Sequence, residues 1–416
     1  MPPTPPSIWN ASGLFLSRSF VCRSCLLDAR RTFSSVNHDT PAPPPPAGIS
    51  RLSSRRLISV SGPDAAKYLQ GVITSSITGP DGSPRPPGSG FYTAFLSAQG
   101  RVLHDVFVYP AATLDIRGDP SPKHGESFLI EVDAAEAERL QAHIRRYKLR
   151  AKFAVRLLDA GEWTVWQAWS DDAAQADAAA TAPKKGSNFS TTSGGTNSVV
   201  IRDPRLPALG YRILAPRDDV PVGMNLEETP ETAYQIRRYL QGVPEGQSEL
   251  IRDQALPLES NMDIMGGIDF HKGCYVGQEL TIRTKHRGVV RKRVLPCVLY
   301  GGGGTLPTEL AYRPGDEATA LAARVPSEAS IGRMGRKARS PGKWLRGVGN
   351  VGLALCRLEI MTDIVLPGET AASAYDPDAE FVISEAAPEE GTGGDIRVKA
   401  FVPSWLRQGL DLGQPH

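Results

Sequence analysis

The chain has 416 residues, and its 47 Lys+Arg against 45 Asp+Glu leave a net charge of +2 with His neutral. So even a balance excludes a dedicated nucleic-acid or polybasic membrane surface, and no apolar run reaches the roughly 18 residues that cross a bilayer. At 40% hydrophobic and 22% charged residues, the composition is that of a globular chain of two or three domains.

Residues 1–36 have the character of a mitochondrial transit peptide. Arg18, Arg23, Arg30 and Arg31 are met by one acid, Asp28, among serines and apolar residues such as Leu14, Phe15, Leu16 and Phe20. That Arg-rich, acid-poor composition suits a basic amphipathic helix, and Arg30-Arg31-Thr32-Phe33-Ser34-Ser35 resembles a matrix-protease cleavage site. Import into the mitochondrial matrix is therefore expected. The segment carries four Arg against one Asp, so its loss would take the chain from +2 to −1. Cys22 and Cys25 have the spacing of a metal or redox motif, but they lie in this segment and lack a second pair. The other cysteines, Cys274, Cys297 and Cys356, are not expected to form disulfides in a reducing compartment.

Residues 37–47 read as a Pro-rich linker, and an α+β core is expected over 48–284. Ser50 to Ser61 predicts a strand, and Gly62-Pro63-Asp64 punctuates the entry to a short helix with Ala65, Tyr68 and Leu69 on its apolar side. Phe91 to Leu96 and Arg101 to Tyr109 predict paired strands around the turn Ala98-Gln99-Gly100. Phe128 to Val132 is a further strand. Asp133 with Glu136 fits a capping-box pattern ahead of a helix in which Leu140, Ile144 and Tyr147 recur at helical spacing. Ala151, Phe153, Val155 and Leu157 then alternate as in a strand. Strand, helix and strand without a regular crossover repeat favour α+β over a doubly wound sheet.

Residues 171–198 are mostly Ala, Ser, Thr, Gly and Asp, which cannot bury a core, and predict a flexible insertion. A second structured region is expected from Val199, through a helix over Thr232 to Gln241, to about Arg283. Over 285–365, β-rich segments at Val294 to Tyr300 and Val351 to Leu358 surround Gly301 to Gly304 and predict a small barrel or sandwich. Residues 366–416 are expected to form an acidic, Gly-rich tail, with Phe401 and Trp405 able to dock back.

The most informative run is Asp269-Phe270-His271-Lys272-Gly273-Cys274-Tyr275-Val276-Gly277-Gln278-Glu279. Two glycines flank a Cys-Tyr pair, with His271 and Lys272 just upstream. Cations near a thiol favour the thiolate, which is the nucleophile and the metal ligand, and Gly273 permits close approach of a ligand or partner. A buried, inert cysteine is the competing account of the same residues.

The string from Lys272 to Glu279, K-G-C-Y-V-G-Q-E, resembles the signature of the YgfZ-type family of folate-binding proteins, whose mitochondrial members are iron-sulfur cluster assembly factors. Other segments match in the same order, among them Gly100-Arg101-Val102, Tyr147 to Lys152, Asp203-Pro204-Arg205, Gly242 to Gly246 and Pro257-Leu258-Glu259, so the resemblance spans roughly Gly48 to Leu358. The family is similar to the aminomethyltransferase (T-protein) of the glycine cleavage system. The resemblance therefore implies a T-protein-like (GcvT-like) folate-binding α+β core with a C-terminal small β-barrel. It also implies tetrahydrofolate as a cofactor, with Asp105, Arg238 and Tyr275 as pocket residues. The transferase uses carboxylates around the reacting carbon. Its paired aspartates correspond here to His104 and Asp105, and one of its glutamates to Leu240. These departures argue against aminomethyl transfer. A folate-dependent aminomethyltransferase or demethylase is the alternative, and a folate-binding module without a cluster role is a third.

A four-iron cluster usually takes four thiolates, whereas Cys297 and Cys356 sit in apolar strand patterns. The resemblance thus implies a non-enzymatic factor in which Cys274 works at an interface. It would contribute one contact to a transient iron-sulfur cluster shared with A-type carrier proteins, in late maturation of 4Fe-4S target enzymes. Within the functional motif (Lys272, Gly273, Cys274, Tyr275, Gly277, Gln278, Glu279), Lys272 would favour the thiolate and the anionic cluster, with His271 doing the same or standing as a spare ligand. Gln278 and Glu279 would fix the loop by hydrogen bonding. Five Lys/Arg occur within nine residues at Lys285 to Arg293. Lacking interleaved aromatics, they do not suit nucleic acid. They form either a solvated surface or a dock for an acidic carrier or a folate polyglutamate tail.

Overall fold

The computed structural model describes residues 41–79, 81–86, 88–111, 114, 116, 127–172, 198–217, 221, 226–315, 317–335, 339–366, 375–383 and 395–412. The expected transit peptide and residues 173–197 of the expected insertion lie outside them. A corner at Leu52 to Ser54 divides the single strand expected over Ser50 to Ser61 into β1 (Ala47–Arg51) and β2 (Arg55–Ser61), which join different sheets. Glu231 ties this corner: its carboxylate accepts from the Ser53 backbone N–H at 2.9 Å and from both the Ser53 and Ser54 hydroxyls.

The chain continues through α1 (Ala65–Val72), β3 (Phe91–Leu96), β4 (Val102–Pro110), β5 (Ser127–Asp133), α2 (Ala137–Tyr147) and β6 (Ala154–Leu157). The strands form an antiparallel sheet in the order β3-β4-β5-β2-β6. It is covered on both faces, so alternate residues enter different cores. Val60, Val106, Val108, Ile130 and Val132 pack with Leu69 of α1 and with Leu140 and Ile144 of α2. Leu57, Phe107, Tyr109 and Leu129 face the other way, toward a second sheet. The expected hairpin of β3 and β4 is present, with Gly100 at φ +78° in its turn. Three details differ from expectation. Ala151 and Phe153 precede β6 rather than belonging to it. Asp133 caps the Ala135 N–H at 2.9 Å, but Glu136 pairs with Arg139 instead of closing a box. Tyr147 is 52% exposed rather than part of the apolar side of α2.

The second sheet adds β7 (Trp163–Ser170), β8 (Val199–Arg202) and β9 (Tyr211–Pro216) in the antiparallel order β1-β7-β9-β8. Along β7, Trp163, Val165 and Trp169 enter the core between the sheets, while Trp166 and Ala168 face outward into a smaller cluster. Next come α3 (Glu231–Gln241), ended by Gly242 at φ +72°, and α4 (Gln278–Arg287).

The remaining strands are β10 (Lys292–Gly301), β11 (Ser330–Arg333), β12 (Gly342–Val348), β13 (Val351–Arg357), β14 (Phe381–Ile383) and β15 (Ile396–Ala400). They close a barrel in the order β10-β13-β12-β11-β14-β15, with β15 returning to β10. Cys297 and Cys356 lie in its core with Trp344 and Phe381. The barrel thus continues well past residue 365, which corrects the expectation of a tail from 366 onward. β14 has only three residues, too few to establish an alternation, whereas β15 does alternate, with Ile396, Val398 and Ala400 in the barrel core and Arg397 and Lys399 between them, but it follows an acidic, Gly-rich stretch. After β15, α5 (Ser404–Leu412) buries Leu406, and the Trp405 indole N–H donates to Gln241 O at 2.8 Å. Among the described residues, no helix is long and apolar enough to cross a membrane.

Candidate functional site

The run from Asp269 to Gly277 is laid along the end of α1. Asp269 N donates to Thr74 O at 3.0 Å and Val276 N to Gly71 O at 3.1 Å. Lys272 turns inward, its Nζ donating to Ile73 O (2.8 Å) and Ser75 O (3.0 Å), with the Tyr275 ring 5.1 Å away. Burial pushes its pKa down to about 8, against the pull of Asp269. Lys272 is therefore a clamp on the loop, and the expected role of steadying a neighbouring thiolate does not match where its ammonium points. Tyr275 is buried under it, facing Thr281, and burial pushes the phenol up to about 12. Tyr275 N donates to Gln278 Oε1 at 3.1 Å, so Gln278 does fix the loop. Glu279 stands exposed in the first turn of α4, where a carboxylate suits the helix dipole.

The two motif glycines differ in what they do. Gly277 has φ +81°, and a Cβ there would lie 2.4 Å from Ser97 O and 2.8 Å from Leu96 Cβ. It faces Gly100, whose own Cβ would lie 2.8 Å from Gly277 O, so this glycine pair lets the loop close onto the β3–β4 turn. Gly273 has no atom within 4 Å of an added Cβ, so the fold does not demand glycine there. Beside it, Cys274 and His271 are exposed and Val276 is 44% exposed. The loop has a pinned base and an open tip that carries the thiol.

A second constellation lies between the two sheets. Asp105 shares a face of β4 with Phe107 and Tyr109 and is fully buried. Its Oδ1 accepts from Gly246 N and Gln247 Nε2, each at 3.1 Å, while Oδ2 lies 3.6 Å from Arg55 Nη1, too far for a hydrogen bond. Burial pushes this carboxyl up, with Arg55 opposing and Glu245 adding to the rise. Around it, Glu131 accepts from Arg55 Nε (2.8 Å) and the Tyr109 hydroxyl (2.7 Å). Glu245 Oε2 accepts from Arg205 Nη1 and Arg212 Nη2, each at 2.7 Å, and from the Tyr234 hydroxyl at 2.8 Å. Burial alone would raise Glu245, but Arg212 and Arg205, helped by Arg55 and Arg238, hold it well below the usual carboxylate range. Arg55, Glu131 and Arg212 were not singled out from the sequence, and Arg205 and Glu245 entered only as members of matching segments, without a site role. Their signal was present as single charges inside apolar alternation, such as Glu131 in Phe-Leu-Ile-Glu-Val and Arg212 in Tyr-Arg-Ile-Leu.

Arg238 belongs to this layer but is fully engaged at its tip. It grips Glu249 with both terminal nitrogens (2.5 and 2.8 Å) and donates to Val243 O at 2.7 Å, locking the turn after α3. Asp105 and Arg238 therefore meet the same segment, 243–249, without touching each other. Tyr275 reaches the layer only through the shared apolar cluster that includes Tyr92, Met262 and Met265. The basic run is also divided. Arg293 is buried and paired with Asp263 at 2.8 and 3.0 Å, so Lys285 to Arg293 is not one solvated patch. Lys292 instead lines two adjoining grooves, of about 290 and 540 Å³, where the core meets the barrel; Leu256 and Glu259 line both.

His104 is buried, and its Nε2 accepts from Arg252 Nη1 at 2.7 Å. Burial, then Arg252, pushes its pKa down to about 3. The ring is neutral in the fold while the unfolded chain takes up a proton near pH 6.5. The unfolded state therefore binds more protons, and the contribution is complete above pH 6.5 and lost as the pH falls toward 3. About 2 kcal/mol should be gone by pH 5. Urea midpoints measured from pH 7.5 to 5 should show this slope, and His104→Gln should flatten it.

The barrel matches the family model "CAF17, C-terminal beta-barrel domain" over residues 291–408. A protein of Pyricularia oryzae named "Iron-sulfur cluster assembly factor IBA57 homolog, mitochondrial" is 57% identical over 394 residues, covering 94% of this chain and 93% of the relative. The chain belongs to the IBA57 family. A Neurospora crassa relative of the same name is 49% identical, covering 93% of this chain and 88% of the relative. The glycine cleavage system aminomethyltransferase T from Bartonella henselae shares the fold, with a TM-score of 0.54 at 13% identity and 87% coverage of both chains. The IBA57-family chain thus has the GcvT-like core and C-terminal barrel that its sequence implied.

Proposed function

We propose that this chain is an iron-sulfur cluster assembly factor of the mitochondrial matrix, acting without catalytic turnover late in 4Fe-4S maturation. The observation that carries the proposal is the exposed Cys274 thiol at the open tip of a loop whose base is pinned by Lys272, Gln278 and the Gly277–Gly100 contact. Cys297 and Cys356 are sealed in the barrel core. Among the described residues, no group of three His, Cys, Asp or Glu side chains is arranged to hold a metal. Cys274 would then supply one ligand to a cluster in transit, and an A-type carrier protein the others, before the cluster passes to a four-iron target enzyme.

Tetrahydrofolate is the ligand proposed for the layer around Asp105, and unpaired polar atoms there support it. Asp105 Oδ2, Arg55 Nη1, Gln247 Oε1 and the Tyr92 hydroxyl are buried there without a hydrogen-bond partner. Burial, with Asp105 the first of its charged neighbours, raises the Tyr92 phenol. Buried polar atoms left unpaired in this way are costly, and a pterin ring carries both the N–H donors a carboxylate needs and the carbonyl a guanidinium needs. Asp105 and Arg55 would hold that ring, and Arg238 would act only by holding the 243–249 turn. An aminomethyltransferase is not favoured, because His104 and Leu240 stand where the transferase has carboxylates.

The test is a strain in which Cys274→Ser replaces the native chain. Activity of four-iron matrix enzymes should fall to the level of the deletion while the variant accumulates normally. Full activity would remove Cys274 from the mechanism.

A further inference from the structure

One surface serves neither the Cys274 loop nor the Asp105 layer: the end of α2 and the residues after it. No acidic residue occurs between Glu138 and Asp159, and 145–152 contain Arg145, Arg146, Lys148, Arg150 and Lys152. Two apolar side chains stand out of this basic surface, Tyr147 at 52% and Leu149 at 83% exposure. Leu149 has φ +48°, in the left-handed region that favours glycine. The backbone is held in an unfavourable conformation to present a leucine that packs against little of its own chain.

The surface and the Cys274 loop lie on the same short helix. Lys148 Nζ donates to Phe153 O, and Phe153 packs on Tyr68 of α1 with ring centroids 5.0 Å apart. The Cys274 loop is bonded to the other end of α1, through Val276 N and Gly71 O. Eight residues of helix span roughly 12 Å, well inside the footprint of about 800 Å² that one partner covers in a standard interface. Val276, two residues from the thiol, is itself 44% exposed.

We propose that residues 145–152 are the docking face for an acidic protein whose cluster reaches Cys274; this rests on the role proposed for Cys274 above. Charge complementarity selects the occupant, since the five cations outnumber Asp64, whose Oδ2 accepts from Lys152 N at 2.6 Å, and the net positive charge steers a negatively charged partner. Tyr and Arg are, with Trp, the side chains enriched among the anchors of protein interfaces. An anionic membrane fits less well, because the apolar stripe of α2, Leu140 and Ile144, is buried in the core and offers no face to lipid.

The test is calorimetric titration of the full chain with a purified, cluster-free A-type carrier, and in parallel with vesicles containing cardiolipin. Arg146→Glu with Arg150→Glu, and separately Tyr147→Ser with Leu149→Gly, should weaken carrier binding at least tenfold. Leu149→Gly alone should leave the melting temperature unchanged or raise it, because glycine accepts this φ. Cys274→Ser should bind the cluster-free carrier within threefold of the native chain. Carrier affinity unchanged in the surface variants would overturn the docking face and leave the role of Cys274 standing. Loss of vesicle binding alone would assign the surface to a membrane and overturn it. A carrier that fails to bind the native chain would overturn both.

Discussion

Replacing Glu245 with alanine is expected to destabilise the chain by about 3–5 kcal/mol, a large part of the stability of an ordinary domain. The carboxylate is the common acceptor of Arg205, Arg212 and Tyr234. Its removal leaves two buried guanidiniums short of compensation, and a buried charge without a partner is far more costly than an absent pair. The pH dependence follows from the direction of the shift. Glu245 is held well below its ordinary value, so its contribution is present above about pH 4.3 and is lost as the pH falls through the folded-state value. Asp105 has the opposite sign. Burial pushes it up, so ionisation works against folding once the pH rises above about 3.9. Asp105→Asn keeps an acceptor for Gly246 and Gln247 and should leave stability at pH 7 unchanged or raised. Urea denaturation followed by circular dichroism compares the two. Equal destabilisation by both variants would mean that the layer does not distinguish these carboxyls.

Gly277→Ala should cost about 3 kcal/mol or more, whereas Gly273→Ala, four residues away, should stay within about 0.5 kcal/mol of the native chain. At Gly277 a methyl group would meet the Ser97 carbonyl and Leu96 while the backbone holds a positive φ, and the opposing backbone at Gly100 leaves no room to retreat. At Gly273 the methyl group meets nothing. Thermal unfolding of the two variants decides the point. A stable Gly277→Ala protein would show that the loop can move off the β3–β4 turn. The pair also separates fold from function, because Gly273→Ala places a methyl group beside the exposed thiol of an otherwise intact molecule.

Much of this architecture was legible in the sequence because alternation and turn chemistry are local. The β3–β4 hairpin around Gly100, α3 and the buried positions of Cys297 and Cys356 followed from such patterns. The corner at Ser53 was not legible, because it depends on Glu231, 178 residues away. Strand β14 was missed because three residues carry too little pattern, and β15 because the acidic, Gly-rich composition before it outweighed the alternation of Ile396, Val398 and Ala400 with Arg397 and Lys399. At the site, the eight-residue string identified the loop, but it could not show that Lys272 bonds to Ile73 and Ser75 rather than serving Cys274. Arg238 illustrates the same limit, since its partner Glu249 is set by the turn after α3. The exposed Leu149 was hidden for a different reason. A leucine one turn beyond Arg145 reads as helix interior until its positive φ is seen.

The most direct test of the central claim is made on the complex itself. The purified chain is mixed with an A-type carrier holding a two-iron cluster, the complex is isolated by size exclusion, and its iron, sulfide and visible circular dichroism are measured. The native chain should hold the carrier's cluster in an altered ligand environment, and Cys274→Ser should leave the spectrum of the carrier alone. The same iron content and the same altered spectrum in the serine variant would contradict a cluster ligated by Cys274.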